Sequence, residues 1–236
     1  MQIATLTELT GQLHPQLHPQ LQPTVIFFDA VGTLFGVRDS VGEQYAKVAQ
    51  KFVLDETVMI SPENLDRAFY SVFKRVGNPA FPGTEFEQIP NLERQWWRSV
   101  VLETFQTAGE AEKLRDFDRF FEAVFEYFAT AEPWTVYPDT LDALDRLQQQ
   151  GITLGLISNF DSRLHTVLEA LSLRSFFQSV TISTEVGTAK PDRAIFAAAI
   201  AKHSASFEQA WHVGDSRRED YEAAIACGMQ GILIER

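Results

Sequence analysis

Ionisable and hydroxyl side chains follow the apolar runs of this sequence. Asp29 follows VIFF, Ser158 and Asn159 follow LGLI, Asp215 follows WHVG with Asp220 five residues on, and Lys190 precedes a proline. Carboxylates grouped with one lysine suit a hard divalent cation, Mg²⁺ first of all, held by oxygen ligands beside a bound anion. The lysine and the metal would also keep Asp29 ionised, as a nucleophile must be.

Each of these residues alone also has a structural interpretation. An aspartate or serine after a strand often caps a helix or stabilises a turn. A single lysine is usually a solvated surface residue. The grouping of all these types at successive strand ends favours a common functional site over separate structural roles.

The elements that would bring these residues together alternate along the second half of the chain. We predict strands at 25–29, 152–158, 180–183, 210–214 and 231–235, and helices at 140–150, 191–203 and about 218–227. This alternation predicts an α/β fold, a Rossmann-like parallel sheet with helices on both faces. Ligands on such sheets bind at the carboxyl ends of the strands, where the residues above fall.

Residues 40–130 contain only helical patterns. One helix begins at the capping box Ser40–Glu43 and another at Ser61–Pro62, and apolar stripes run over 92–105 and 117–128. Aromatic residues at this spacing favour packing between helices. We therefore predict an inserted α-helical bundle cap at 37–131 within an α/β core of residues 24–36 and 132–236.

The N-terminal segment has a different character. Residues 12–23 read QLHP, QLHP, QLQP, and a proline at every fourth position favours an extended, polyproline-like chain. We predict that residues 1–23 form a leader outside the fold.

Composition narrows the possible partners. The chain has 236 residues and a formal net charge of −12, which argues against a nucleic-acid partner. It has no secretory signal and no apolar run of membrane-spanning length, so we expect no membrane partner. Cys227 is the only cysteine, which fits a reducing compartment and predicts a cytoplasmic protein. We expect a small-molecule substrate and a monomer or homodimer.

The strand-end motifs, in this order, resemble those of haloacid dehalogenase (HAD) superfamily hydrolases with a helical cap after the first motif. Asp29-Ala-Val-Gly-Thr33 resembles the family's DxDxT, and LGLIS resembles its second motif. Lys190 resembles the third motif, and Gly214–Asp220 resembles GDxxxxD. The resemblance covers residue 25 to the end of the chain.

The resemblance implies a Mg²⁺-dependent phosphohydrolase that acts on a small phosphorylated metabolite through an aspartyl-phosphate. Asp29 would be the nucleophile, Thr33 and Ser158 would hold the transferring group, Asn159 would contact the substrate, and Lys190 would offset the charge. The metal would be bound by Asp29, Asp215 and the backbone carbonyl of Val31. Asp220 would be a further ligand, or would hydrogen-bond to the ligands without binding the metal itself.

Val31 departs from the family's pattern. In the phosphatases its position carries a second aspartate, which protonates the leaving group and later activates water. General acid–base assistance of this kind contributes roughly 10²–10⁴-fold to rate. The backbone carbonyl of residue 31 survives the substitution, so metal binding need not be lost.

Three alternatives follow from this departure. Haloacid dehalogenases of the family also lack the second aspartate, but they are metal-independent and carry serine and asparagine where this chain has Asp215 and Arg217. Phosphonatases need a Schiff-base lysine in the cap, for which Lys47, Lys51 and Lys74 are candidates. A weakly active or non-catalytic ligand-binding protein is the third alternative.

Substrate specificity has one candidate segment. Gly77–Asn91 is a long loop with several glycines and prolines between two predicted cap helices. Loops of this length are usually functional or disordered, although a simple helix connection fits as well. Arg38 and Arg217 are further candidates for contacting an anionic substrate.

Overall fold

The computed structural model describes residues 2–3, 5–12 and 22–236, which form two compact units. The α/β unit contains the described residues up to Gly36, then Ala80–Thr84 and Val136–Arg236. The helical unit contains Val37–Pro79 and Glu85–Thr135. The chain leaves the helical unit for the last time between Thr135 and Val136, four residues beyond the predicted end of the cap at 131.

The strands are β1 (Gln2–Ile3), β2 (Val25–Phe28), β3 (Phe35–Val37), β4 (Trp134–Val136), β5 (Thr153–Ser158), β6 (Ser179–Ile182), β7 (Ala210–Gly214) and β8 (Gln230–Ile234). Six of them form one sheet in the order β1-β8-β7-β2-β5-β6, with parallel pairing. The predicted α/β Rossmann-like sheet is confirmed. β2 lies between β7 and β5, so the carboxyl ends of these three strands are neighbours.

The α-helices are α1 (Leu6–Gln12), α2 (Val41–Ala49), α3 (Pro62–Val76), α4 (Ile89–Ala108), α5 (Phe117–Tyr127), α6 (Thr140–Gln149), α7 (Leu164–Ala170), α8 (Ser183–Val186), α9 (Arg193–Ile200) and α10 (Ala223–Cys227). The helix predicted at about 218–227 begins differently, as a π-helix at Arg217–Glu222 that continues into α10.

The centre of the sheet is buried on both faces. All four residues of β2 are fully buried, as expected for a short apolar strand covered by helices on each side. Phe28 is level with Leu156 of β5 and Val213 of β7. This register places the residues that follow β2, β5 and β7 at one edge of the sheet.

The predicted N-terminal leader is wrong for residues 2–3 and 5–12. β1 pairs with β8, and α1 lies against the core with Leu6 and Leu9 fully buried. The backbone N–H of Leu6 also donates to Asp139 Oδ2 at 2.9 Å. Burial of these leucines offsets the cost of ordering the segment. Most of the proline repeat, residues 13–21, lies outside the described residues.

The helical unit has its own core, and the four predicted helices are confirmed as α2 to α5. Ser40, Ser61 and Asp116 cap α2, α3 and α5 by accepting hydrogen bonds from backbone N–H groups in the first turns. Tyr45 packs against the rings of Phe69, Phe105 and Phe128. The aromatic stripes therefore serve helix packing, as their spacing predicts.

β3 and β4 form a separate two-stranded sheet where the chain passes between the units. This pair was not predicted, because strands of only three residues leave no periodic pattern in the sequence. Arg38, next to β3, donates from its guanidinium to the carbonyls of Glu132 and Trp134 at 3.0 and 2.9 Å.

Within the described part of the chain, no helix combines the length and the apolar character needed to span a membrane.

Candidate active site

Asp29 is held at the carboxyl end of the central strand. Its backbone N–H donates to the carbonyl of Val213 at 2.9 Å, which extends the β2–β7 pairing by one residue. Its side chain is buried. The loop that follows turns sharply, with the carbonyl of Ala30 accepting from the N–H of Leu34 at 2.9 Å. Asp29 therefore lies between a paired strand and a hydrogen-bonded turn.

Gly32 in this turn has φ +93°, a conformation that residues with a side chain rarely adopt. A Cβ at Gly32 would lie 2.5 Å from Asp215 Oδ2. The next residue, Thr33, is fully buried and its hydroxyl donates to Asp215 Oδ1 at 3.2 Å. The loop after β2 thus makes room for the Asp215 carboxylate and fixes one of its oxygens.

Ser158 and Lys190 both reach Asp29. The Ser158 hydroxyl, at the end of β5, donates to Asp29 Oδ1 at 3.3 Å. Lys190 is buried, and its Nζ lies 2.6 Å from Asp29 Oδ1 and 2.6 Å from Asp220 Oδ1. The ammonium group therefore bridges two carboxylates that come from different strand ends.

Asn159 holds the backbone of Lys190. Its amide oxygen accepts from the Lys190 N–H at 2.7 Å, and its amide nitrogen donates to the Lys190 carbonyl at 2.9 Å. The same nitrogen donates to Glu219 Oε2 at 3.1 Å. In this structure the side-chain amide of Asn159 holds the Lys190 backbone, and the predicted substrate contact of Asn159 stays a prediction.

The π-helix at Arg217–Glu222 places Asp220. The N–H groups of Asp220 and Tyr221 both donate to the carbonyl of Ser216, and the wider turn directs the Asp220 carboxylate back over Gly214. A Cβ at Gly214 would collide with that carboxylate. Asp220 Oδ2 accepts from the N–H of Ser216 at 3.0 Å.

The pKa values in this group are displaced in opposite directions. Burial raises the pKa of Asp29 to about 7, helped by the charges of Asp220 and Asp215 and opposed by Lys190. Burial and the charge of Asp220 also raise the pKa of Asp215, which is more exposed. Burial acts against the charged forms of Lys190 and Asp220 too, but their pairing outweighs it. The pKa of Lys190 is raised and that of Asp220 is lowered.

Three carboxylates could hold a metal ion in this group. Oxygen atoms of Asp29, Asp215 and Asp220 all lie within 4.8 Å of one another. One lysine cannot neutralise three carboxylates. Burial above all, and then the charges of the neighbouring carboxylates, raise the pKa values of Asp29 and Asp215. Hard oxygen donors in this number fit Mg²⁺.

Three other residues at the site were not predicted from the sequence. His212 Nε2 lies 2.8 Å from Asp220 Oδ1, Glu219 accepts from Asn159, and Arg236 donates from Nε to the carbonyl of Thr33 at 3.0 Å. The available signal for His212 was a single polar residue on an apolar strand, two residues before the glycine of the fourth motif. Nothing in the sequence pattern pointed to Arg236.

The other sequence candidates have different surroundings. Arg38 bonds to backbone carbonyls in its own unit, as described above. Lys47 donates to the Tyr127 hydroxyl and to Glu132, both at 3.2 Å. Within the predicted specificity loop, Ala80–Thr84 belongs to the α/β unit. A Cβ at Gly187, three residues before Lys190, would lie 3.1 Å from Pro82 Cα.

Comparison with known proteins gives the chain a family context. A sequence model of the haloacid dehalogenase-like hydrolase family matches residues 23–228. The haloacid dehalogenase-like hydrolase domain-containing protein 3 of Xenopus laevis is 34% identical over 210 residues, which covers 89% of this chain and 83% of the relative. The range matched by the family model runs past every strand-end residue discussed above, from Asp29 to Asp220.

Solved structures share the fold at lower identity. A HAD phosphatase from Thermococcus onnurineus superposes with a TM-score of 0.57 at 22% identity, covering 91% of this chain and 87% of its own. The L-2-haloacid dehalogenase of Xanthobacter autotrophicus, with chloropropionic acid covalently bound, gives 0.60 at 15% identity, covering 88% and 76%. Identities this low show a common fold alone, and the two neighbours carry different activities.

Proposed function

We propose that this chain, which belongs to the haloacid dehalogenase-like hydrolase family, is a Mg²⁺-dependent phosphohydrolase that acts on a small phosphorylated metabolite. The observation that carries the proposal is the Lys190 ammonium group, 2.6 Å from both Asp29 and Asp220, with Asp215 beside them. A carboxylate nucleophile, a fixed cation and spare carboxylates for a metal are what phosphoryl transfer needs.

The reaction would proceed in two displacements. An Asp29 carboxylate oxygen attacks phosphorus, the bond from phosphorus to the leaving-group oxygen breaks, and an aspartyl-phosphate forms. Water then attacks phosphorus and loses a proton to solvent, the bond from phosphorus to the Asp29 oxygen breaks, and phosphate and the Asp29 carboxylate are released. Lys190 stabilises charge on the transferring oxygens in both steps, and the Ser158 hydroxyl, already on Asp29, is placed to bind one of them.

A bound Mg²⁺ would supply positive charge that stabilises the transferring phosphoryl group and keeps Asp29 ionised. Asp29, Asp215 and the carbonyl of Val31 are the proposed ligands. Asp220 is a weaker candidate for direct coordination. Its Oδ1 already accepts from Lys190 and His212, and its Oδ2 accepts from Ser216. We propose that Asp220 acts through Lys190.

Val31 sets the limit of this mechanism. Its side chain has no proton to donate, so the leaving-group oxygen would take its proton from solvent. Substrates with acidic leaving groups, such as aryl and acyl phosphates, are therefore favoured over sugar and alkyl phosphates.

Haloacid dehalogenation is the second candidate, because a dehalogenase with chloropropionic acid covalently bound shares the fold. Asp29 would then attack carbon and displace halide. The metal-independent members resembled by this chain carry serine and asparagine at the positions of Asp215 and Arg217, and this chain does not. Its extra carboxylate favours the phosphohydrolase.

The phosphonatase alternative has less support from the cap. A Schiff-base lysine must lose its proton before it attacks a carbonyl. Hydrogen bonds to Tyr127 and Glu132 raise the pKa of Lys47 instead. Lys51 and Lys74 are exposed.

One assay tests the proposal against the dehalogenase. Phosphate release from a panel of phosphate esters and halide release from 2-chloropropionate are measured in Mg²⁺ and in EDTA, with Asp29→Asn as the inactive control. We expect phosphate release that requires Mg²⁺ and Asp29. Halide release that persists in EDTA would overturn the proposal in favour of the dehalogenase.

The same panel tests the contribution of Ala80–Thr84 to specificity, because substitutions there should change relative rates among esters.

A further inference from the structure

His212 lies on β7, two residues before Gly214, and is fully buried. Side chains two apart on a strand point to the same face of the sheet. Gly214 leaves space above that face for the Asp220 carboxylate, which meets the imidazole there. His212 Nε2 is 2.8 Å from Asp220 Oδ1, the same oxygen that accepts from Lys190.

The other ring nitrogen has a different environment. Among the residues that the structure describes, none offers a hydrogen-bond partner to His212 Nδ1. The ring of Phe196 packs edge-on against the imidazole, with centroids 5.3 Å apart. Burial of a polar atom without a partner is unfavourable, and an apolar side chain would avoid that cost. What the imidazole adds at this position is the single hydrogen bond from Nε2.

The direction of that bond follows from its acceptor. Asp220 is an ionised carboxylate, which accepts hydrogen bonds and cannot donate them, so His212 Nε2 carries the hydrogen. Lys190 and His212 together determine where Asp220 Oδ1 lies, while the Ser216 N–H fixes the other oxygen. Asp220 is in turn the second anchor of the Lys190 ammonium group.

We infer that His212 is a positioning residue for the reaction, which holds Lys190 against Asp29 by orienting the Asp220 carboxylate. The inference rests on the proposed function in one respect, that Asp29 is the nucleophile which Lys190 serves. Loss of the Nε2 donor frees Asp220 Oδ1 to turn and lets the ammonium group move away from Asp29. Small displacements of a catalytic group reduce turnover strongly.

Two amide variants test this inference because each places a donor where one ring nitrogen lies. Glutamine extends its amide nitrogen to about the position of Nε2, and asparagine places its own near Nδ1, where no partner lies. We expect His212→Gln to retain kcat within about threefold and His212→Asn to lose about tenfold or more, with KM little changed. Melting temperatures of both variants control for folding. If His212→Asn does not fold, His212→Met replaces it with the same expected loss.

Equal losses in the glutamine and asparagine variants, or an unchanged kcat in His212→Asn, would overturn the inference. A wild-type protein with no phosphate-ester turnover would contradict the proposed function instead.

Crystal structures of the same two variants then decide the positioning role. We expect Lys190 Nζ to stay within hydrogen-bonding distance of Asp29 Oδ1 in His212→Gln and to lie beyond about 3.5 Å in His212→Asn. An unchanged distance in His212→Asn would overturn the inference in that case as well.

Discussion

Lys190 Nζ lies 2.6 Å from Asp29 Oδ1, yet the pKa of the Asp29 carboxyl is raised to about 7. An adjacent ammonium group normally lowers the pKa of a carboxyl. Here burial, together with the charges of Asp220 and Asp215, outweighs the lysine. The buried Asp29 carboxyl therefore keeps its proton to a higher pH than an exposed one, and this leads to the first prediction.

Stability of the metal-free protein should fall as pH rises toward neutrality. Between the ordinary pKa of 3.8 and the raised value of about 7, folded Asp29 binds a proton that the unfolded chain has released. The free energy of unfolding therefore decreases with pH through this window. Asp215, whose pKa is also raised, contributes in the same direction. The pKa of Asp220 is lowered, so its stabilising contribution is fully present above the ordinary pKa of 3.8 and adds no slope in this window.

The measurement is the melting temperature in EDTA from about pH 5 to about pH 8, for the wild type and Asp29→Asn. We expect a downward slope that is smaller in the variant, which has no carboxyl to titrate at residue 29. Added Mg²⁺ should raise the wild-type melting temperature more at the higher pH, because it replaces the proton. Identical slopes in the two proteins would contradict the assignment to Asp29.

Val31→Asp should restore a general acid. The rate with alkyl phosphates should then rise by up to roughly 10²–10⁴-fold, with a smaller gain for aryl phosphates, whose leaving groups need no proton. Desolvation of the new carboxylate would reduce the gain, because Val31 is partly buried. The test is kcat/KM over a graded series of leaving groups. A flat dependence on leaving-group pKa in the wild type would mean that another residue already acts as the acid.

Gly32→Ala should weaken metal binding because the new Cβ would collide with the Asp215 carboxylate. A second glycine with the same φ separates this effect from backbone strain. Gly32 and Gly228 share a φ of +93°, so alanine at either position costs about 1 kcal/mol or more in stability. Only at Gly32 would the new Cβ meet the Asp215 carboxylate; the nearest atom at Gly228 is Phe207 Cβ at 3.8 Å. We expect Gly32→Ala to raise the Mg²⁺ concentration needed for activity, and Gly228→Ala to leave it unchanged. A parallel change in both would assign the effect to strain alone.

The N-terminal helix should contribute measurably to stability. Leu9 is fully buried, and its truncation to alanine should lower the free energy of unfolding by about 2–5 kcal/mol. Thr7 on the exposed side of α1 provides the control, and Thr7→Ala should change it by less than about 0.5 kcal/mol. Denaturant unfolding measures both. Equal stability of the two variants would restore the interpretation of residues 1–12 as a leader.

This segment also shows what limited the sequence interpretation. Thr5-Leu-Thr-Glu8 is a capping-box pattern, and the Glu8 N–H does donate to Thr5 Oγ1 at 3.3 Å. Because the proline repeat follows directly, residues 1–23 were predicted as a single leader, and this helix signal was not used. A strand of two residues, such as β1, is too short for any periodicity, and its pairing depends on β8 at the other end of the chain.

The strand-end residues were predictable because an apolar run followed by aspartate or serine indicates a functional strand end on a parallel sheet. The contact between His212 and Asp220 could not be predicted from the sequence. Those residues are eight apart, and they meet only because the π-helix widens one turn and Gly214 has no side chain. No spacing rule for regular helices gives that geometry.

The central claim is that Asp29 accepts the phosphoryl group, and a crystal structure with Mg²⁺ and beryllium fluoride tests it most directly. Beryllium fluoride bonded to a carboxylate mimics an aspartyl-phosphate. We predict beryllium bonded to an Asp29 carboxylate oxygen, with Lys190 Nζ and the Ser158 hydroxyl donating to fluorine atoms. Beryllium fluoride bound at another residue, with the Asp29 carboxylate unmodified in a protein that hydrolyses phosphate esters, would contradict the account.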